Sequence, residues 1–311
     1  MSHSPDAVTP LPAAAAPRIA LMSDGADWHS RSLMRAFSAA GARARLVNLS
    51  ACGIDTEAGG LAIAGFVGSL PDAVLVRTVS GGSFEAVTLR LGILHALDAV
   101  GVPVWNSARA IERCVDKSMT SFLLARAGIP TPPTWAVQST QQAAAIVERE
   151  GAPLVLKPLF GSQGRGLRLI HSAADLPPPA EIAGVYYLQR YVGVERQGFH
   201  DFRVLVVRGR VVATMMRHAS HWITNVKRGG KPVSAVADAT MKALAIAAAA
   251  AVGTDFAGVD IIHDAAGHAM VLEVNSMPAW SGLQRTTAIN IAAVLAAELV
   301  ATLTVRAQAR V

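Results

Sequence analysis

Ala257-Gly258-Val259-Asp260-Ile261-Ile262 and Ala269-Met270-Val271-Leu272-Glu273-Val274-Asn275 are two apolar runs on either side of residues 263–268. They read as two β-strands and the turn of a hairpin. Folding about that turn sets Asp260 beside Glu273, and the two-residue period of a strand puts Glu273 and Asn275 on one face. Two carboxylates and an amide oxygen then converge among apolar neighbours. Like charges so placed are costly unless a cation compensates them. Hard oxygen ligands suit Mg2+ or Mn2+, which keep waters and bridge to substrate phosphates. The competing reading, a solvent-facing strand edge with scattered acids, fits the apolar flanks less well.

Upstream, Lys157-Pro158-Leu159-Phe160-Gly161-Ser162-Gln163-Gly164-Arg165-Gly166 ends a strand over 153–158 and runs into Leu167-Arg168-Leu169-Ile170. Three glycines in six residues let backbone N–H groups approach phosphate oxygens. The loop joins strand to strand, so it matches neither a Walker loop nor a dinucleotide fingerprint, both of which open a helix. Lys157 at the end of the incoming strand would neutralise an anionic phosphate. A glycine-rich hairpin without a ligand is the alternative. Between these constellations lie strands over 186–192, 201–208 and 211–217, the last two joined by Arg208-Gly209-Arg210. Arg203 and Arg217 sit on that pair, and Asn225-Val226-Lys227-Arg228-Gly229-Gly230-Lys231 follows. Such cations could hold a transferring phosphoryl group and an acidic substrate; a solvated basic loop is the plainer reading.

Further out, residues 18–110 alternate short apolar strands (18–22, 45–49, 73–77, 102–105) with helical segments (30–40, 89–100), the pattern of a small parallel α/β domain. Residues 107–128 read as two helices, the second capped by Asp116 and stopped by Gly128. A strand over 134–137 and a helix over 140–149 precede Lys157, and an Ala-rich helix over 234–252 precedes the Asp260 hairpin. Residues 1–17 read as a flexible Pro/Ala-rich tail without a signal-peptide n-region.

The 311 residues are 52% apolar and 16% charged, which excludes wholesale disorder. The net charge of +6 favours anionic partners, but scattered basic residues and 5% aromatics argue against a nucleic-acid surface. Two cysteines, Cys52 and Cys114, support neither a disulfide framework nor a thiolate zinc site, which points to a reducing cytoplasm. The most apolar run, 243–253, is shorter than the roughly 18 residues of a membrane span.

Taken in order, Val115-Asp116-Lys117, Lys157-Pro158 with its glycine loop, Asp201-Phe202-Arg203, Lys227-Arg228-Gly229-Gly230, Ala257-Gly258-Val259-Asp260 and Glu273-Val274-Asn275-Ser276-Met277-Pro278 resemble the ATP-grasp superfamily. Within it the chain is similar to RimK-type ligases, which join an acidic amino acid to an acceptor. A narrower similarity is to ligases of tetrahydromethanopterin-linked one-carbon metabolism in methylotrophs. The resemblance covers residue 111 to the C-terminal helix and, more loosely, the first domain.

It implies an α/β (α+β) fold: a parallel pre-ATP-grasp domain over 18–110, a lid subdomain over 111–185, and a metal-bearing subdomain with antiparallel sheet over 186–311. It implies ATP phosphates on Lys117 and Lys157, with a mobile lid of Gly161, Ser162, Gln163, Gly164 and Gly166. Adenine would lie against Gln189, Arg190, Tyr191 and Val192, with Asp201 and Asn225 near the nucleotide. Asp260, Glu273 and Asn275 would hold Mg2+ or Mn2+, and Arg203 and Arg217 would serve the transferring phosphate. The implied reaction is ADP-forming ligation of an amino acid, glutamate foremost, to a carboxylate acceptor through an acylphosphate; a homo-oligomer is a family-level expectation. A phosphotransferase or a non-catalytic ATP-binding protein would use many of the same residues. The chain departs from the family pattern at Arg190, where relatives often carry glutamate, and at Trp222-Ile223-Thr224-Asn225, which lacks an expected arginine.

Overall fold

The structure is a computed structural model and describes residues 15–57, 60–161, 163–193 and 198–308. Its first layer is a parallel sheet of β1 (Arg18–Met22), β2 (Arg43–Val47), β5 (Ala73–Val76) and β6 (Val104–Trp105), in the order β2-β1-β5-β6. Helices α1 (Trp28–Ala39) and α2 (Phe84–Ala99) cover its two faces, and β3 (Gly53–Asp55) pairs with β4 (Gly60–Ala62) beside it. A parallel strand buried on both faces needs an unbroken apolar run. On β1, Ile19 and Leu21 accordingly pack with α1 residues Leu33 and Phe37, while Ala20 and Met22 pack with α2 residues Ile93, Leu94 and Leu97.

Helices α3 (Ala108–Val115) and α4 (Lys117–Arg126) follow. Asp116 caps α4 as expected, its Oδ1 accepting from the backbone N–H of Ser118 (2.8 Å) and Met119 (3.1 Å). That cap fixes Lys117 as the first residue of the helix. A second sheet, order β7-β10-β8-β9, joins β7 (Thr134–Val137), β8 (Leu154–Lys157), β9 (Arg168–Ile170) and β10 (Tyr186–Arg190) under α5 (Thr140–Glu150). Its core is Ile146 and Val147 of α5 against Leu154, Leu156, Ile170, Tyr186 and Leu188.

The third sheet is antiparallel, in the order β13-β12-β11-β14-β15, from β11 (Phe199–Val207), β12 (Arg210–Ala219), β13 (Lys231–Ser234), β14 (Phe256–His263) and β15 (Ala269–Asn275). One face is covered by α6 (Ala239–Val252), whose Ala245, Ala248 and Ala249 allow close approach to Val204, Val206, Val259 and Ile261. On the other face Leu205 and Val207 join the core shared with α1, α7 (Ser281–Gln284) and α8 (Ile291–Gln308).

Several boundaries differ from the sequence reading. Helix α2 begins at Phe84, not residue 89, because Ser83 Oγ accepts from Ala86 N–H. Helix α6 begins at Ala239, not 234, because Asp238 caps it through Met241 N–H at 2.7 Å. Residues 231–234 instead pair with β12 as an edge strand. The second strand lies at 43–47, Leu49 opening a short 3-10 turn. The expected tail falls mostly on residues 1–14, outside the described residues. Among the described residues no helix is long and apolar enough to cross a membrane.

Candidate active site

Strand register builds the site. Arg203 of β11 stands opposite Asp260 of β14, and Asp260 stands opposite Glu273 of β15. Two residues along, Asp201 stands opposite Arg217 of β12. The register then slips between Asp260 and Ile261, which next meets Val271, leaving Leu272 without a counterpart. Such a bulge re-aims side chains locally, and Leu272 and Glu273 both reach the same cleft as a result. Gly258 makes room two residues earlier: a Cβ there would lie 2.9 Å from Pro278 Cβ and 3.5 Å from Arg203 Cδ.

The charged row is tightly paired. Arg203 donates to both oxygens of Asp260, Nε to Oδ1 and Nη2 to Oδ2, each at 2.7 Å. Arg217 Nε donates to Asp201 Oδ1 at 2.8 Å and its Nη2 lies 3.0 Å from Asp260 Oδ2, while Nη2 also meets Asp201 Oδ2. Burial alone would raise the pKa of Asp260, but Arg203 and Arg217 outweigh it and hold the carboxyl well below the usual carboxylate range. Burial alone would lower the pKa of Arg217; Asp201 and Asp260 outweigh that and raise it. Asp260 and Arg217 are therefore charged throughout the neutral range.

Two lysines face this row, Lys157 from the end of β8 and Lys117 from the start of α4. Lys117 Nζ donates to the carbonyls of Leu159 (3.3 Å) and Gly161 (2.8 Å), and Lys157 Nζ donates to Gln189 Oε1 at 2.6 Å. Burial lowers the pKa of both, with Glu273 pulling the other way. Neither has a carboxylate within ion-pairing distance among the described residues, so their charge is available to an anion. Gly164 (φ +70°) carries the glycine loop over the cleft, where a Cβ would lie 2.6 Å from Asn225 Oδ1 and 2.7 Å from Ile223 Cγ2.

These groups line one cleft. Lys117, Lys157, Gly161, Gln163, Gly164, Gln189, Arg190, Tyr191, Val192, Asp201, Arg217, Asn225, Asp260 and Glu273, all singled out in the sequence, come together there. Arg203 and Asn275 open instead onto an adjoining cleft that shares Glu273. Gly166 lines a hollow on the far side of the loop, beside Pro158. Ser162 lies outside the described residues. At the hinge, the N–H groups of Arg190 and Tyr191 are committed to the carbonyls of Pro133 (2.8 Å) and Pro153 (3.0 Å). The Arg190 side chain turns away to Glu150.

Sequence reasoning missed the apolar walls of this cleft, Val155, Leu167, Ile223, Ile262 and Leu272. Leu272 depends on a bulge that no pattern announces. The glycine of Ala-Gly-Val-Asp was the available signal that something approaches β14 closely. Cys114 is a poor nucleophile, since burial pushes its thiol up to about 12.

The residues present fit a hard divalent cation. Glu273 has no ion pair among the described residues, and Asn275 Nδ2 donates to Glu273 Oε1 and Gly258 O, both at 3.2 Å. The amide oxygen is thereby left as an acceptor beside a carboxylate. Among the described residues no three His, Cys, Asp or Glu side chains form a metal-holding cluster. A cation here would therefore draw on Asn275 and on ligand phosphate oxygens, as Mg2+ does.

A parallel α/β layer, a second sheet bearing a glycine loop, and an antiparallel sheet with a carboxylate row match the architecture of an ATP-grasp ligase. Residues 114–299 match the RimK-like ATP-grasp domain. The tetrahydromethanopterin:alpha-L-glutamate ligase of Methanosarcina acetivorans is 33% identical over 308 residues, covering 86% of this chain and 94% of that protein. A probable alpha-L-glutamate ligase of Legionella pneumophila is 30% identical over 287 residues, covering 88% and 92%. Among solved structures, the ATP-grasp ligase PsnB complexed with a precursor variant, Mg and ADP superimposes with a TM-score of 0.73 at 20% identity, over 93% of this chain and 99% of that one. The chain belongs to the RimK-like ATP-grasp family and is an ATP-dependent ligase that forms amide bonds.

Proposed function

We propose that this ligase joins the amine of L-glutamate to a carboxylate-bearing acceptor, converting ATP to ADP and phosphate. The observation that carries the reading is the floor of the cleft. Two unpaired lysines and two arginines surround Glu273, the one carboxylate of that row without an ion pair among the described residues. The names of the relatives support glutamate, and a tetrahydropterin carrying a carboxylate is the acceptor class they favour.

In this reading Lys117 and Lys157 bind the nucleotide phosphates under the loop of Gly161, Gln163 and Gly164. The apolar walls hold the base, and its edge meets hinge groups at Val192, since the N–H groups before it are already used. Asp260, Glu273 and Asn275 hold Mg2+, which when bound neutralises charge on the phosphate oxygens. Arg203 and Arg217 steady the phosphoryl group as it passes to the acceptor carboxylate, and the glutamate amine displaces it from the resulting acylphosphate. Fixed cations and positioning supply the acceleration, because the attacking carboxylate is ionised at neutral pH. The lid keeps water from the acylphosphate. On the same reading the chain divides at about residues 110 and 185 into the three units the family pattern implies.

The test is ADP release from Mg-ATP with single amino acids and candidate carboxylate acceptors, including reduced pterins, with the product weighed by mass spectrometry. Glutamate-dependent release and a product heavier by one glutamyl residue are expected. Release that needs no amine would mark a phosphotransferase and refute the proposal.

A further inference from the structure

Arg77 follows β5 at the edge of the cleft that contains Arg203, Glu273 and Asn275, and it is only 6% exposed. Its Nη1 donates to Met277 O at 3.0 Å, its Nε is buried without a partner, and no carboxylate pairs with it among the described residues. The guanidinium is nonetheless fixed. Its carbon lies 5.2 Å from the centroid of the Trp280 ring. Trp280 packs edge-on against His29 at 4.7 Å, and the backbone N–H groups of Trp280 and Ser281 donate to His29 Nε2 at 3.1 and 3.2 Å. Burial lowers the pKa of Arg77 and the charge of Asp27 offsets this only in part; Asp27 already accepts from Ser30 and binds His29.

A buried, rigidly held guanidinium without a counter-ion is an unmet demand for an anion. The other cations of the cleft it faces divide clearly. Arg203 and Arg217 are ion-paired with Asp260 and Asp201 and, on the proposed reading, serve the phosphoryl group, whereas Lys227, exposed at the rim, is unpaired among the described residues. We propose that this cleft is the amino-acid subsite and that Arg77 binds the side-chain carboxylate of the incoming glutamate.

The inference rests on the glutamate-ligase reading and adds the residue that makes an acidic side chain the preferred one. Arg77 meets the chain at Met277, beyond Asn275, so it reads a group remote from the amine that must reach the Glu273 end. A planar fork matches a carboxylate in two places at once. The amide of glutamine would leave the buried guanidinium without its counter-charge, and sites of that kind discriminate strongly.

The experiment is calorimetric titration of L-glutamate and L-glutamine into the full-length protein with AMPPNP and Mg2+ present. The parent is expected to bind glutamate at least about 30-fold more tightly than glutamine. Arg77→Gln is expected to reduce that preference below about threefold while AMPPNP affinity stays within about twofold of the parent. Arg77→Lys, which keeps the charge and loses the fork, is expected to retain the preference with weaker binding. A parent that does not distinguish the two amino acids, or Arg77→Gln protein that still does, overturns the inference. If Arg77→Gln protein also loses AMPPNP binding, the parent and the lysine variant decide. Ligation of only neutral amino acids would sink the subsite while leaving the ligase. Glutamate preference without any amine-dependent ADP release would sink the ligase reading and leave Arg77 as the carboxylate-binding residue.

Discussion

Glu273 and Asp260 stand side by side on neighbouring strands, yet their surroundings differ. Asp260 spends its oxygens on two guanidiniums, while Glu273 has a single amide donor, Asn275. The negative charge available to a cation is thus concentrated on Glu273. Glu273→Gln should leave the melting temperature within a few degrees of the parent and lower turnover by about 100-fold or more, read as ADP release beside a thermal melt. Turnover within about threefold of the parent would remove Glu273 from the reaction. Asp255 shows the opposite environment. Burial, only partly offset by Arg208, lifts its carboxyl from 3.8 to about 6. The folded chain therefore binds more protons than the unfolded one between those values, and this residue's contribution to stability declines as pH rises through 6. Asp255→Asn should raise the melting temperature at pH 7.5, and the gain should shrink as the pH is lowered toward 4.5. A gain that is constant across that range would show that the carboxyl is not strained.

At the scale of elements, the glycine loop and the segment after β12 form a close contact, which on the proposed reading governs whether the loop closes over the nucleotide. Gly164 lies in the left-handed region against Ile223 and Asn225. Gly164→Ala adds one methyl at a position with no room for it and a φ that disfavours it. Since Gly164 lies in the cleft proposed for the nucleotide, the cost should fall on nucleotide binding more than on folding. The KM for ATP should rise at least about tenfold with the urea midpoint nearly unchanged; an unchanged KM would place the lid contact outside the working cycle. The elements themselves were largely legible: β1, β7 and the Asp116 cap follow from apolar runs and capping residues, and the Asp260–Glu273 register follows from folding one hairpin. What was not legible depends on tertiary context. The edge strand β13 is basic and interrupted by Pro232, so only β12 beside it makes it a strand. The bulge at Asp260 depends on packing that a two-residue period does not encode.

For the whole molecule, Asn106 links the first sheet to the third. Fully buried, it donates to Phe256 O (2.8 Å) and Ser276 O (2.5 Å) and accepts from the N–H groups of Asp255 (2.6 Å) and Phe256 (3.1 Å). Asn106→Ala orphans these buried groups on both sides of the β14–β15 hairpin and should cost about 3 kcal/mol or more, measured by urea unfolding; a loss under about 1 kcal/mol would mean that water replaces the amide. Neither Asn106 nor Arg77 could be singled out from sequence, because each takes its meaning from a partner about 150 or 200 positions away. The site residues that were legible are those whose chemistry is local: a lysine ending a strand, glycines in a run, acids in an apolar stretch. β11 joins these two kinds of information. Asp201 and Arg203 share a face with Leu205 and Val207, which anchor the layer under α8. On the proposed reading the site end of β11 is thus cantilevered from the beam that keeps the layers together, so warming should blunt catalysis and loosen the scaffold along one curve, with no inactive but intact plateau between.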